Sequence, residues 1–277
     1  STLRKGIEYS RNLMTVRIAE NLGLKKILKL SEDLKIYDDI PELLSVSLGS
    51  AETTLLDITS AYTSFVNGGK KTSPVLIDRI QDRRGKTIYN SDKRECFGCD
   101  RFSESSINIP KIKDNYERVF SEETAYQMTS ILEGVIKRGT GKKLRDLKVP
   151  LAGKTGTTNN NYDAWFIGYS SNLVVGVYIG FDNPKSLGRY ETGSKAALPI
   201  FKNFIKEALY KEEFKSFNIP NSIYFAPINY DTGKEELFNN PKAIIEAFKL
   251  KDINNLKNNN LDTIKNYDKL IKFRQFY

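Results

Sequence analysis

The chain has 277 residues, 39% of them hydrophobic and 28% charged, with a formal net charge of +9. That length and composition suit a globular protein with a sizeable buried core. Histidine is absent, which removes Ser-His-Asp and Cys-His catalysis and any histidine-ligated metal. Nucleophilic chemistry here must take lysine, a carboxylate or tyrosine as its base. No apolar run reaches the roughly 18 residues of a membrane span, and the start carries no signal-peptide pattern. Lysines and asparagines are spread along the whole chain and are densest after Asn240, a compositional bias rather than a nucleic-acid-binding patch.

Residues 8–30 predict a helix, with Leu13, Val16, Ala19 and Leu22 at near-helical spacing and an interruption at Gly23. A second helix is expected over 54–67, stopped by Gly68-Gly69. Val75 to Asp82, a turn at Arg83-Arg84-Gly85-Lys86 and Thr87-Ile88-Tyr89 read as a hairpin. Residues 90–118 are polar and irregular. They hold the only cysteines, Cys96 and Cys99, too few for a four-ligand zinc site. A local disulfide loop or inert thiols suit that setting, with a redox or metal role left open.

Ser121 reads as the N-cap of a strong helix, with Glu122 and Glu123 where the helix dipole favours acids. Ala125, Met128, Ile131, Leu132, Val135 and Ile136 form its apolar face, and Gly139 and Gly141 end it. Three strands are expected at 148–157, 163–170 and 173–181, and their short connections favour antiparallel pairing. A helix over 196–210 should pack a stripe of Ile200, Phe204, Ile205 and Leu209. After residue 215 the chain turns Asn- and Lys-rich. We divide it there, into a domain at 1–215 and an appendage at 216–277 with a strand at Ser222–Asn229 and a weakly packed tail. The order of elements predicts a mixed α/β (α+β) layered fold.

Two short motifs carry chemistry. Ser10-Arg11-Asn12 falls just inside the first expected helix, and Lys154-Thr155-Gly156-Thr157 lies in an expected strand. S-x-N and K-T-G belong to the serine, lysine and threonine set of penicillin-binding proteins and class A β-lactamases. Capping for Ser10 and Asn12 and a surface position for Lys154 are the bland alternatives. The longer stretch Ala152-Gly-Lys-Thr-Gly-Thr-Thr-Asn-Asn-Asn-Tyr-Asp-Ala-Trp-Phe-Ile-Gly-Tyr169 closely resembles the transpeptidase domain of class A penicillin-binding proteins of the 1A family. Gly134-Val-Ile-Lys-Arg-Gly-Thr-Gly141, Val175-Gly-Val-Tyr-Ile-Gly-Phe-Asp182 and the hairpin Ile77 to Gly85 are similar as well, and the resemblance covers roughly 1–230.

The resemblance implies a β-lactamase/transpeptidase-like fold with a central antiparallel sheet packed with helices. It implies serine acyl transfer on the D-Ala–D-Ala end of peptidoglycan stem peptides, β-lactams as mimics, no cofactor or metal and no nucleic-acid partner. It places such a protein at the periplasmic face of the bacterial inner membrane, held by an anchor upstream. By the same resemblance Ser10 and Asn12 would serve proton transfer and amide orientation, with Lys154 as cation. Thr155, Gly156 and Thr157 would bind substrate, the Thr157 N–H as one arm of an oxyanion hole. Thr140 would touch substrate or cap, and Trp165 and Phe166 would be core. The family's nucleophile is the serine of S-x-x-K, and no serine here has lysine three residues later. The chain is therefore expected to be a fragment that forms no acyl-enzyme by itself. A carboxypeptidase or β-lactamase on the same fold and a non-catalytic remnant are the alternatives.

Overall fold

The computed structural model describes residues 1–37, 40–99, 109–209 and 215–252. The first helical stretch is three helices, α1 (Leu3–Glu8), α2 (Asn12–Leu22) and α3 (Leu24–Asp33). Ser10 thus lies between helices and not inside one, which corrects the expectation from periodicity. The break is a Schellman-type C-terminus: Arg11 N–H donates to Gly6 O at 2.8 Å and Ser10 N–H to Ile7 O at 3.1 Å. Ser10 takes the left-handed position, φ 54°, that such an ending usually gives to glycine.

Helix α4 (Leu55–Val66) is capped by Thr54, whose hydroxyl accepts from Asp57 N–H. A hairpin follows, β1 (Arg79–Gln81) with β2 (Thr87–Asn90), shorter than expected because Val75 to Ile77 are exposed and unpaired as strand. A second small hairpin, β3 (Cys96–Phe97) with β4 (Lys111–Ile112), carries a Cys96–Cys99 disulfide, so these are not free thiols. Helix α5 (Glu122–Lys137) begins at Ser121 as predicted, the serine hydroxyl accepting from Thr124 N–H at 3.3 Å.

The three expected strands form an antiparallel meander, β5 (Ala152–Thr157), β6 (Ala164–Tyr169) and β7 (Val174–Ile179), with β6 central. Residues 148–151 fall outside β5, following a short 3-10 helix at Lys142–Leu147. Helix α6 (Ala197–Ala208) covers one face of the sheet, and α4 and α5 cover the other. Strand alternation explains why β6 is buried on both faces at every residue but Trp165: Phe166 meets Phe201 of α6 at 4.7 Å between ring centroids, while Tyr169 meets Tyr62 of α4 at 6.3 Å.

The buried stripe of α6 is Leu198, Phe201 and Ile205, continued by Leu209, whereas Ile200 is 50% and Phe204 49% exposed. The expected stripe was rotated by about one residue, since Phe201 is the ring that the sheet accepts. The last paired element among the described residues is a hairpin of β8 (Ile223–Asn229), as expected, and β9 (Ala243–Lys249), in a stretch read as weakly packed tail. It packs on α5, where Gln127 donates to Ala247 O at 2.9 Å. The remainder of the tail lies outside the described residues. Phe201→Ala should cost about 3–5 kcal/mol, the range for a buried aromatic, and Ile200→Ala under about 1 kcal/mol, by chemical denaturation. Equal costs would contradict this facing of α6.

Candidate active site

Two motifs that are 144 residues apart in sequence meet in the structure. Lys154 Nζ donates to Ser10 Oγ at 2.7 Å and to its neighbour Thr155 O at 2.8 Å. Ser10 is exposed at the α1–α2 turn, and Lys154 is partly buried on β5. Because the Ser10 oxygen accepts from the ammonium, its own O–H remains free to donate. Asn12, first residue of α2, is exposed, and its amide has no hydrogen-bond partner among the described residues.

Lys154 makes no ion pair with any carboxylate among the described residues. Its amine is lowered from the ordinary 10.5 to about 8 by burial, which penalises the charged form. An ammonium of that kind gains when an anion arrives, and it also gives up a proton at modest cost near neutral pH.

Thr155 and Thr157 project from the opposite side of β5 by strand alternation. The Thr155 hydroxyl is 2.8 Å from that of Thr140, just beyond α5. Thr140 is thus joined to the site through a hydroxyl pair. One of these two groups donates to the other, which leaves one proton to give. Thr157 Oγ1 accepts from Gly193 N–H at 3.0 Å, so its proton too is free. Strand β5 pairs only with β6 among the described residues and so presents an edge beside these donors.

Gly156 has a reason internal to the fold: a β-carbon there would come within 3.0 Å of Trp165 Cβ on β6. Phe166 is fully buried core, and Trp165 stacks on Tyr178 at 4.5 Å. Sequence reasoning missed what holds the Ser10 turn. Glu8 is fully buried and bonded to Arg138, with Nε–Oε2 at 3.0 Å and Nη2–Oε1 at 2.5 Å. Its backbone oxygen accepts from Thr140 N–H at 3.2 Å. No local pattern pairs an acid with an arginine 130 residues away. Gly134 and Gly139 hinted at it, for a β-carbon at either would overlap Glu8.

Lys154 should titrate near 8, observed through its side-chain nitrogen by NMR. Its folded value is depressed, so between about 8 and 10.5 the unfolded chain holds more protons. Stability should therefore rise with pH across that window, by about 1.4 kcal/mol for each unit of difference between the two states. Lys154→Met should abolish that rise in denaturation curves recorded from pH 7 to 10; a slope unchanged by the substitution would contradict the assignment.

Residues 1–206 match the family model for the penicillin binding protein transpeptidase domain. Penicillin-binding protein 1A of Rickettsia prowazekii is 44% identical over 271 residues, covering 96% of this chain and 34% of its own length. Its counterpart from Pseudomonas aeruginosa is 34% identical over 281 residues, 90% of this chain and 34% of its own length. The chain thus spans about a third of the length of the curated relatives it matches. The crystal structure of penicillin-binding protein 1A from Haemophilus influenzae aligns with a TM-score of 0.73 at 27% identity, over 89% of this chain and 39% of that one. The PonA1 protein of Mycobacterium tuberculosis, solved in complex with penicillin V, shares the fold at a TM-score of 0.63 and 19% identity, over 79% of this chain and 59% of that one. The chain belongs to the penicillin-binding protein transpeptidase domain family, and its relatives here are penicillin-binding proteins 1A.

Proposed function

We propose that the chain supplies the substrate-positioning and proton-transfer part of a peptidoglycan-cross-linking D,D-transpeptidase. It would act with an S-x-x-K segment that these 277 residues do not contain. The observation that carries this reading is the 2.7 Å bond between Lys154 and Ser10 beside an open strand edge. A stem peptide pairs along β5 as an added strand. Its terminal carboxylate meets Lys154 and the hydroxyls of Thr155 and Thr157, and Asn12 orients a substrate amide. The serine of S-x-x-K gives its proton to the lysine of that motif as its oxygen attacks the penultimate D-Ala carbonyl, and the Thr157 N–H shares in stabilising the oxyanion. As the C–N bond breaks, Ser10 passes its proton to the departing D-Ala amine and is re-protonated from Lys154. The amine of a second stem peptide then takes the acyl group from the serine ester.

β-Lactams are ligands on this reading, and no metal or cofactor enters it. The compartment is the outer face of the cytoplasmic membrane. Among the described residues no helix is long and apolar enough to cross a membrane. A β-lactamase or carboxypeptidase on the same fold is disfavoured because the similarity runs to penicillin-binding proteins 1A over most of the chain. The missing S-x-x-K favours a second reading, a remnant that binds but does not react.

Fluorescent penicillin separates the two. The chain alone should take no covalent label. Joined in frame to the upstream half of a 1A relative, it should label, and Lys154→Ala should slow labelling at least about a hundredfold, the scale of losing a proton-transfer group. A folded, joined protein that carries S-x-x-K yet never labels would establish the remnant.

A further inference from the structure

The buried Glu8 carboxylate draws on three separate elements. Arg138 comes from the exit of α5. Arg4, one turn back on α1, brings Nη1 to 3.5 Å of Oε1. The third partner is Tyr230, immediately after β8, whose hydroxyl donates to Oε2 at 2.6 Å. The hairpin is fastened to α1 at three further points. Thr2 Oγ1 donates to Tyr230 O at 3.1 Å, Arg4 pairs with Glu246 of β9, and Lys5 pairs with Asp231. Two arginines and two glutamates thus cancel in charge around one buried centre. The family match ends at residue 206, so Tyr230 and the hairpin lie beyond it.

We infer that the β8–β9 hairpin is a positioning element of the active site: through the Tyr230 hydroxyl it fixes Glu8, and through Glu8 both the Ser10 turn and Thr140. The catalytic meaning rests on the proposed transpeptidase reading, but the mechanical coupling does not. Arg138 holds both Glu8 oxygens from one side and Arg4 reaches Oε1 along α1. Tyr230 bonds Oε2 from the hairpin side and is the direct hold of the hairpin on this carboxylate. Burial and the Glu8 charge push the Tyr230 phenol well above its usual range, so it stays a donor at every working pH. Glu8 in turn stands two residues before Ser10, and its carbonyl holds Thr140, the partner of Thr155. The φ of 54° at Ser10 is one a serine adopts only when its surroundings impose it.

The test follows Lys154 in the whole chain by side-chain NMR titration, a readout that needs no catalysis. Among the described residues Lys154 contacts Ser10 and the Thr155 carbonyl and no carboxylate, so its midpoint reports how well the Ser10 turn shields it from water. Tyr230→Phe deletes one hydroxyl and keeps the ring, over which Lys5 and Arg138 sit at 5.3 and 5.4 Å. It should raise the midpoint from about 8 by about half a unit or more, towards the exposed-lysine value. Ile205→Ala empties part of the α6–sheet core and touches neither the hairpin nor Glu8. It should lower the melting temperature at least as much and leave the midpoint unchanged. An unmoved midpoint in Tyr230→Phe, or the same rise in Ile205→Ala, overturns the inference. Failure of penicillin labelling would strike the transpeptidase reading and leave this result standing.

Discussion

Glu8 carries its carboxylate where water cannot reach it, and the site is built around the need to solvate that charge with protein groups. An unpaired carboxylate in such a place would be very costly. Here it is met by Arg138, Arg4 and Tyr230, and loss of a partner from a buried pair of this kind typically costs about 3–5 kcal/mol. Meeting that demand sets geometry. It holds the end of α1 against the exit of α5, forces the chain to turn at Ser10, and lets the Glu8 carbonyl take the Thr140 N–H. Gly134 and Gly139 are part of the same arrangement, since only a residue without a side chain leaves Glu8 room to sit.

The chemistry follows from what is left free once those bonds are made. Ser10 and Thr157 each accept a hydrogen bond and keep their own proton, and the Thr140–Thr155 pair keeps one between them. Lys154 is shielded and has no anion beside it among the described residues. Several donors and an uncompensated cation therefore surround an open strand edge, an arrangement suited to an extended peptide that ends in a carboxylate. The rest of the fold supports this edge from behind. The Phe166–Phe201 and Tyr62–Tyr169 contacts fix β6, and β6 fixes β5.

Much of this was legible in the residues. The cap at Ser121, the glycine stops after α5 and the three strands at 152–179 follow from local rules, because capping and strand alternation are local physics. Ser10 and Lys154 were legible as motif members, but the turn that presents Ser10 was not. Periodicity runs smoothly through residues 8–22, and the break is imposed by Glu8 reaching Arg138 across the fold. The α6 stripe failed for a related reason: Ile200, Phe201 and Phe204 are all apolar, and only the sheet decides which of them faces inward. Strand β9 was missed because its register depends on β8, and its polar flanks resemble the tail beyond it.

If a peptide carboxylate binds at the β5 edge with Ser10 and Lys154, an NMR titration of the chain with an acetylated peptide ending in D-Ala–D-Ala should show it. Shifts are expected at Ser10, Asn12, Thr140 and Lys154 to Thr157, weakened by Lys154→Ala. Shifts centred instead on the roughly 280 Å³ cavity lined by Phe65, Lys70, Tyr126 and Phe217, or none at β5, would contradict it.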